Sequence, residues 1–456
     1  MRKFSAARRV ARPVGVAAAA FAMAACSTDI LTVDTPDVLS ASALGGSLGA
    51  STLRNGSMMD FNVAFSGTID GFLVSTGNMA DEIQTTDTFA DRYNTDMRIQ
   101  NEVLGGAINT MYNQLQLARA GMTSAIESWT KAKTGTATAV KDSLSEMYAI
   151  RGFAEDFFAE AYCSGVPFSK VNGDGTFAYG DPLTTTQMLT VAGATFDSAS
   201  TLATGATYKN LAAVGKARVL VNLGQFAQAA AAVSGVPTNF RYQVFHSTAT
   251  ARQNNGVNSG TFVAGSRYTA GTKEGTNGLD YLSTPADPRM PWQASNRVGF
   301  DGTSRNLPQQ LKYATLASPV TLADGIEARL IEAEAALNAG GAGGSQAARD
   351  QMTTILNTIR TSGGVAGLAS LASPTTQDAA VDLLFRERAY WMWLTGHRLG
   401  DMRRLIRQYG RAANTVFPTG SVLYRPGNTY SNDVNFVVPF PERNNPKFNG
   451  CINRNP

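Results

Sequence analysis

Histidine occurs only at His246 and His397, and cysteine three times, in a chain of 456 residues. No pair of these residues has metal-motif spacing, which argues against a zinc site and leaves too few histidines for the common catalytic triads. A phosphate loop is missing as well. Asp81 and Glu82 are paired carboxylates of the kind used in glycoside hydrolysis, but adjacent carboxylates usually point apart and are solvated. An enzyme therefore has little to build on, and no cofactor or metal is expected. Charge is also modest, at 16% of residues and a net +4. Arg2, Lys3, Arg8, Arg9 and Arg12 all fall in the first 25 residues, which hold no acid, and removing them takes +4 to −1. A chain near neutrality lacks the concentrated basic footprint that nucleic acid requires. Beyond those 25 residues no stretch is long and apolar enough to span a membrane, which takes about 20 residues.

The basic start is followed by an apolar run from Val14 to Ala25, interrupted by Gly15, and then by Met23-Ala24-Ala25-Cys26. This looks like a bacterial lipoprotein signal covering 1–25 and cut before Cys26, with a short membrane anchor as the alternative. Cys26 would then carry the lipid, giving a membrane anchor without a transmembrane helix. Ser27 follows, and the absence of aspartate there fits passage to the outer membrane. Cys163 and Cys451 remain. In an oxidising compartment they favour a disulfide that staples the C-terminal tail, against the alternative of two buried free thiols.

The rest, 26–456, reads as one mainly α-helical domain. Asp34-Thr35-Pro36-Asp37 looks like a helix start. Asn101 to Lys133 is periodic through Leu104, Ile108, Met111, Leu115, Leu117, Met122 and Ile126, and Ser143 to Tyr162 through Met147, Ile150, Phe153, Phe157 and Phe158. Gly215 to Ala230 has the small–large alternation and Leu-Gly-x-aromatic turn of a tetratricopeptide unit, and Glu327 to Ala339 repeats the theme. Helical hairpins stacked on one another are expected, with an ordinary helical bundle as the alternative. Forty-four glycines imply many loops. Glycine, asparagine, serine and threonine together dominate a loop-rich insert at about 236–317, where periodicity is lost and aromatics stand singly. Phe262 and Tyr268 are candidates for short strands there, and a helix start is expected at Thr321 to Ile326.

The densest run of aromatic and charged residues is Phe385 to Arg407. Val381, Phe385, Ala389, Met392, Leu399, Met402 and Ile406 form an apolar stripe interrupted at Gly396, which reads as a kink or tight turn between two helices. Its many charges, close to Trp391 and Trp393, are expected to form ion pairs at that junction. Glu387-Arg388, Gly396-His397-Arg398 and Asp401-Met402-Arg403-Arg404 resemble, in order and spacing, the C-terminal signature of the SusD/RagB family. The family often has glutamate where this chain has Trp391 and Thr395, so its polar network differs here. Further resemblances are Tyr162-Cys163-Ser164-Gly165-Val166-Pro167, Asp287-Pro288-Arg289, and the tail from Val437 to Pro446. They extend over essentially the whole mature chain.

The resemblance implies a tetratricopeptide-like helical scaffold with a loop-rich ligand-binding part. It also implies an outer-membrane surface lipoprotein that captures an oligosaccharide, polysaccharide, peptide or other nutrient for a SusC-like TonB-dependent transporter. A non-catalytic envelope adaptor and, less favoured, a glycan-active enzyme are the alternatives. Holding a sugar requires an aromatic platform beside polar donors and acceptors. Trp292, Tyr281 and Arg289 are the candidates from the insert, and Asn78, Asp81, Phe89, Arg92 and Tyr93 those from the N-terminal side. For each, an aromatic or polar residue packed on its own scaffold is the alternative. Trp129, Trp391 and Trp393 are expected on helices, in the core or at an interface.

Overall fold

A computed structural model describes residues 46–456 apart from 104, 134–136, 173–175, 264 and 342. The signal stretch, Cys26, the Asp34–Asp37 helix start and Leu104 lie outside the described residues. Helix α1 (Gly46–Ser66) leads into α2 (Phe72–Met79), strand β1 (Ile83–Thr85), and α3 (Ala90–Asp96). Two long helices follow, α4 (Gly106–Ala132) and α5 (Thr138–Ala161). The expected apolar face of α4 is buried at Ile108, Met111, Leu115, Met122 and Ile126. Leu117 departs from it and is 53% exposed, because residues two apart on a helix cannot share a face. Helix α4 begins five residues later than its sequence pattern suggested, at a point where the Asp91 carboxylate accepts the Ala107 N–H.

Helices α6 (Thr185–Leu202), α7 (Ala206–Asn222) and α8 (Phe226–Val233) continue the stack, each packed on the one before. Small residues facing large ones set how closely they approach. The Phe196 ring on α6 fits against Gly152 of α5 and Gly215 of α7, where an added Cβ would lie 2.9 and 2.1 Å from its ring carbons. The tetratricopeptide-like turn between α7 and α8 is made at Gly224, with φ +73°. The second hairpin is α9 (Gly325–Asn338) against α10 (Gln346–Ser362), with Asp324 and Ser345 capping their starts. Thr321 is not part of a helix start. It belongs to β6 (Val320–Asp324), which pairs antiparallel with β2 (Arg241–Val244), and the helix begins at Gly325.

The insert is held by small two-stranded sheets. β3 (Tyr268–Ala270) pairs with β1, joining the insert to the N-terminal segment, and β4 (Trp292–Gln293) pairs with β5 (Gln309–Gln310). Tyr268 is therefore a strand residue as expected, whereas Phe262 lies in a helical turn, Ser259–Val263. Among the described residues no helix is long and apolar enough to cross a membrane.

The signature run forms α11 (Gln377–Trp391) and α12 (Arg398–Arg407), separated by a turn. Leu394 and Gly396 have φ +53° and +83°, and a Cβ at Gly396 would meet the Phe72 ring at 3.0 Å. Glycine is needed there on both counts. Trp393, expected on a helix, stands in this turn and is fully buried, while Trp129 and Trp391 are helical. Phe72 stacks on Phe157 with centroids 4.0 Å apart, and Phe65 adds to the same aromatic core. Each such ring contributes about 1.5–3 kcal/mol by burial.

Candidate functional site

The charged residues of the signature are buried, most of them in a set of neighbouring ion-pair clusters. Arg388 reaches Asp401 through two 3.0 Å bonds, and Arg404 joins Asp401 at 2.7 Å and Glu334 on α9. Against the burial that would raise it, Arg388 and Arg404 hold the Asp401 carboxyl well below the usual range. Glu387 accepts from Arg289 at 2.7 Å and from Arg360 at 2.8 Å. Arg218 clasps Glu327 at 2.7 and 2.8 Å, and His397 Nε2 lies 3.3 Å from the same carboxylate. Arg403 has a different task. It donates to the carbonyls of Ala159, Glu160 and Tyr162, which terminate α5. Removing one member of a buried pair leaves an uncompensated charge, so the network fixes one helix arrangement against others.

Four of the candidate ligand residues belong to this scaffold. Asp81 is held by Arg398 at 2.7 and 2.9 Å, by the Tyr281 hydroxyl at 3.1 Å and by the Leu279 N–H at 3.0 Å. Tyr281 is 0% exposed and stacks over Trp393 at 6.4 Å. It is closed to a sugar ring. Arg289 is taken up by Asp287 and Glu387, and Asn78 is buried with its amide donating to the Arg92 carbonyl at 3.0 Å. These residues support the surface from below. Glu82 does likewise, accepting from the Leu394 N–H at 2.9 Å, while Lys312 donates to the Trp393 carbonyl. Burial pushes Glu82 up to about 8 and pulls Lys312 down to about 8.

Phe89 is placed differently. It precedes α3 and is 54% exposed, with the guanidinium groups of Arg92 and Arg267 each 5.2 Å from its ring. Arg267 also lies 3.7 Å over Phe300, itself 40% exposed. The two rings and the intervening cation form a continuous shelf. Its polar base is rigid, because Arg92 is gripped by Asp70 at 2.8 and 2.7 Å and by Asp87 at 2.7 Å, and Arg267 by Asp87 at 2.8 Å. Against burial, the bonds from Arg267 and Arg92 hold the Asp87 carboxyl below its ordinary value. Beside Phe89 a depression of about 470 Å³ opens between α3 and the start of α4, lined by Asp70, Arg92, Gly106 and Thr110. Tyr93 packs on the small cluster of Met97, Val422 and Tyr430 and carries the Arg425 guanidinium 4.2 Å over its ring. Exposed aromatic faces beside fixed hydrogen-bonding groups are what a pyranose ring requires.

Phe300 was legible only as one of several isolated aromatics in the insert. Its pairing with Phe89 depends on the insert folding back, with Asp301 N donating to Thr86 O at 2.9 Å. Trp292 sits at the base of the hairpin that carries Phe300. Its indole N–H donates to Ser283 O at 3.3 Å, and its ring packs on the core. Cys163 and Cys451 are disulfide-bonded, closing a span of 288 residues.

One Gly-x-Ser-x-Gly spacing, Gly45 to Gly49, occurs in the sequence, and its serine lies in α1. Neither histidine serves its Ser47: His246 bonds Ser66 at 3.0 Å and His397 bonds Thr395 at 2.9 Å. Among the described residues no group of three or more His, Cys, Asp or Glu could hold a metal ion.

No family model and no curated protein sequence matches this chain. Solved structures do. A SusD homolog from Bacteroides thetaiotaomicron aligns over 89% of this chain and 96% of its own, with TM-score 0.66 and 12% identity. A SusD superfamily protein from Bacteroides vulgatus aligns over 89% and 98%, with TM-score 0.61 and 16% identity. A laminarin-binding SusD-like protein aligns over 90% and 99%, with TM-score 0.59 and 12% identity. The helical hairpins, the insert and the α11–α12 junction of this chain are thus arranged in the SusD-superfamily fold.

Proposed function

We propose that this chain is a non-catalytic lipoprotein of the outer-membrane surface that binds an oligosaccharide and passes it to a SusC-like TonB-dependent transporter. The observation that carries the reading is the exposed Phe89–Arg267–Phe300 shelf on a rigid, ion-paired base. A structural neighbour that binds laminarin supports a glycan as the ligand class. The signal-like 1–25 stretch and Cys26 support the anchor. No bond need be made or broken. A tethered binder raises the local concentration of ligand at a barrel mouth, and a broad helical scaffold supplies a docking face.

Gentle detergent purification from the native outer membrane, with mass spectrometry of co-purifying proteins, tests the reading. A stoichiometric barrel transporter is the expected result. Recovery of the protein from the soluble fraction, or turnover of a glycan by the pure chain, would overturn it.

A further inference from the structure

The charge balance of the shelf singles out one ligand chemistry. Arg92 and Arg267 are neutralised by Asp70 and Asp87. Arg297 is not. It stands three residues before Phe300, half-buried, with its guanidinium 5.1 Å over the Phe262 ring. The one hydrogen bond from its guanidinium to protein among the described residues runs from Nη2 to Ser266 Oγ at 2.6 Å. Ser266 directly precedes Arg267, and its carbonyl accepts the Phe300 N–H at 3.3 Å, so the cation borders the shelf. With no anion beside it, burial pulls the guanidinium below its ordinary range. Arg305, on the same loop, is exposed and makes no ion pair among the described residues. The nearest acid on that loop, Asp301, is occupied by the N–H groups of Thr303 and Ser304 and by the Ser304 hydroxyl.

A half-buried arginine with free N–H groups is a deficit that an incoming anion removes, and its planar fork suits a carboxylate or sulfate ester. The aromatic faces alongside suit a sugar ring. We infer that the ligand is an anionic glycan, with a uronate carboxylate or a sulfate ester seated on Arg297 while its ring lies on the Phe89–Phe300 shelf. The inference rests on the glycan reading above and narrows it to acidic sugars.

Titration calorimetry on the full chain in detergent tests it with three probes of equal length: an oligogalacturonate, a sulfated oligosaccharide and a neutral laminarin oligosaccharide. One acidic probe is expected to bind about tenfold tighter than the neutral one, as a charge-assisted bond of this kind allows. Which acidic probe does so decides between carboxylate and sulfate. The advantage should shrink as salt rises. Arg297→Gln should bring the acidic-to-neutral affinity ratio close to one, and Arg297→Lys should restore part of it through charge without the fork. Thermal unfolding confirms that both variants fold. Equal affinity for all three probes, or a ratio unchanged in Arg297→Gln, would overturn the inference and leave the glycan reading standing. Binding of none of them would overturn both.

Discussion

The α11–α12 junction and the Phe89–Phe300 shelf both combine aromatic rings with arginines, yet only exposure separates their roles. At the junction Tyr281, Trp393, Arg398 and Asp81 are closed off from water, and the buried arginines Arg388, Arg398, Arg403 and Arg404 each have a carboxylate or a carbonyl against them. At the shelf the rings are open, and Arg297 makes no ion pair among the described residues. Buried ionic groups are costly to separate and fix a single arrangement. Exposed rings on a fixed base cost little in stability and are free to meet a ligand. Sequence composition alone does not tell these cases apart. Tyr281 and Phe89 looked equally eligible as binding residues, and the fold separates them.

The sharpest break in this comparison comes from removing a junction charge. Asp401→Ala strands Arg388, whose carboxylate partner is Asp401, and is expected to cost about 3–5 kcal/mol in denaturant unfolding. A loss below 1 kcal/mol would mean that water reaches the junction. Next comes the pH dependence of Glu82. Its carboxyl is raised from an ordinary 4.5 to about 8, so the folded chain keeps a proton that the unfolded chain has released. Stability should therefore fall as pH rises from 4.5 towards 8, by at most about 1.4 kcal/mol per pH unit. Glu82→Gln should flatten that slope, and an unchanged slope would show the group to be charged in the fold. Gly215→Ala is smaller, about 1–3 kcal/mol, since a methyl group there meets the Phe196 ring. Wild-type stability in that variant would show that the α6–α7 contact is loose.

Much of the scaffold was legible because helices carry their own periodicity. The apolar face of α4, the Gly224 turn and the break at Gly396 follow from local rules that need no distant partner. The density of charge close to Trp391 and Trp393 likewise pointed to ion pairs at the junction. What spacing could not supply was their partners, such as Asp81 for Arg398, 317 positions apart. The shelf was harder to read for the same reason. Phe89 and Phe300 come together through the β1–β3 pairing and the Thr86–Asp301 bond, contacts between residues far apart in the chain. Trp292 carries a large aromatic surface in a polar loop, which suggested a platform, but in the β4–β5 hairpin its ring packs, half-buried, on the core. Leu117 shows the limit from the other side, since apolar character without the correct angle leaves a helix residue exposed.

The most direct test of the division between scaffold and shelf is calorimetric titration of a bound oligosaccharide into Phe89→Ala and Tyr281→Phe side by side, with unfolding measured on both. The account predicts that Phe89→Ala unfolds within about 0.5 kcal/mol of the parent but binds at least about tenfold more weakly. It predicts that Tyr281→Phe loses about 1 kcal/mol of stability with its hydrogen bond to Asp81 and keeps its affinity. Full affinity in Phe89→Ala, or weakened binding in a well-folded Tyr281→Phe, would contradict it.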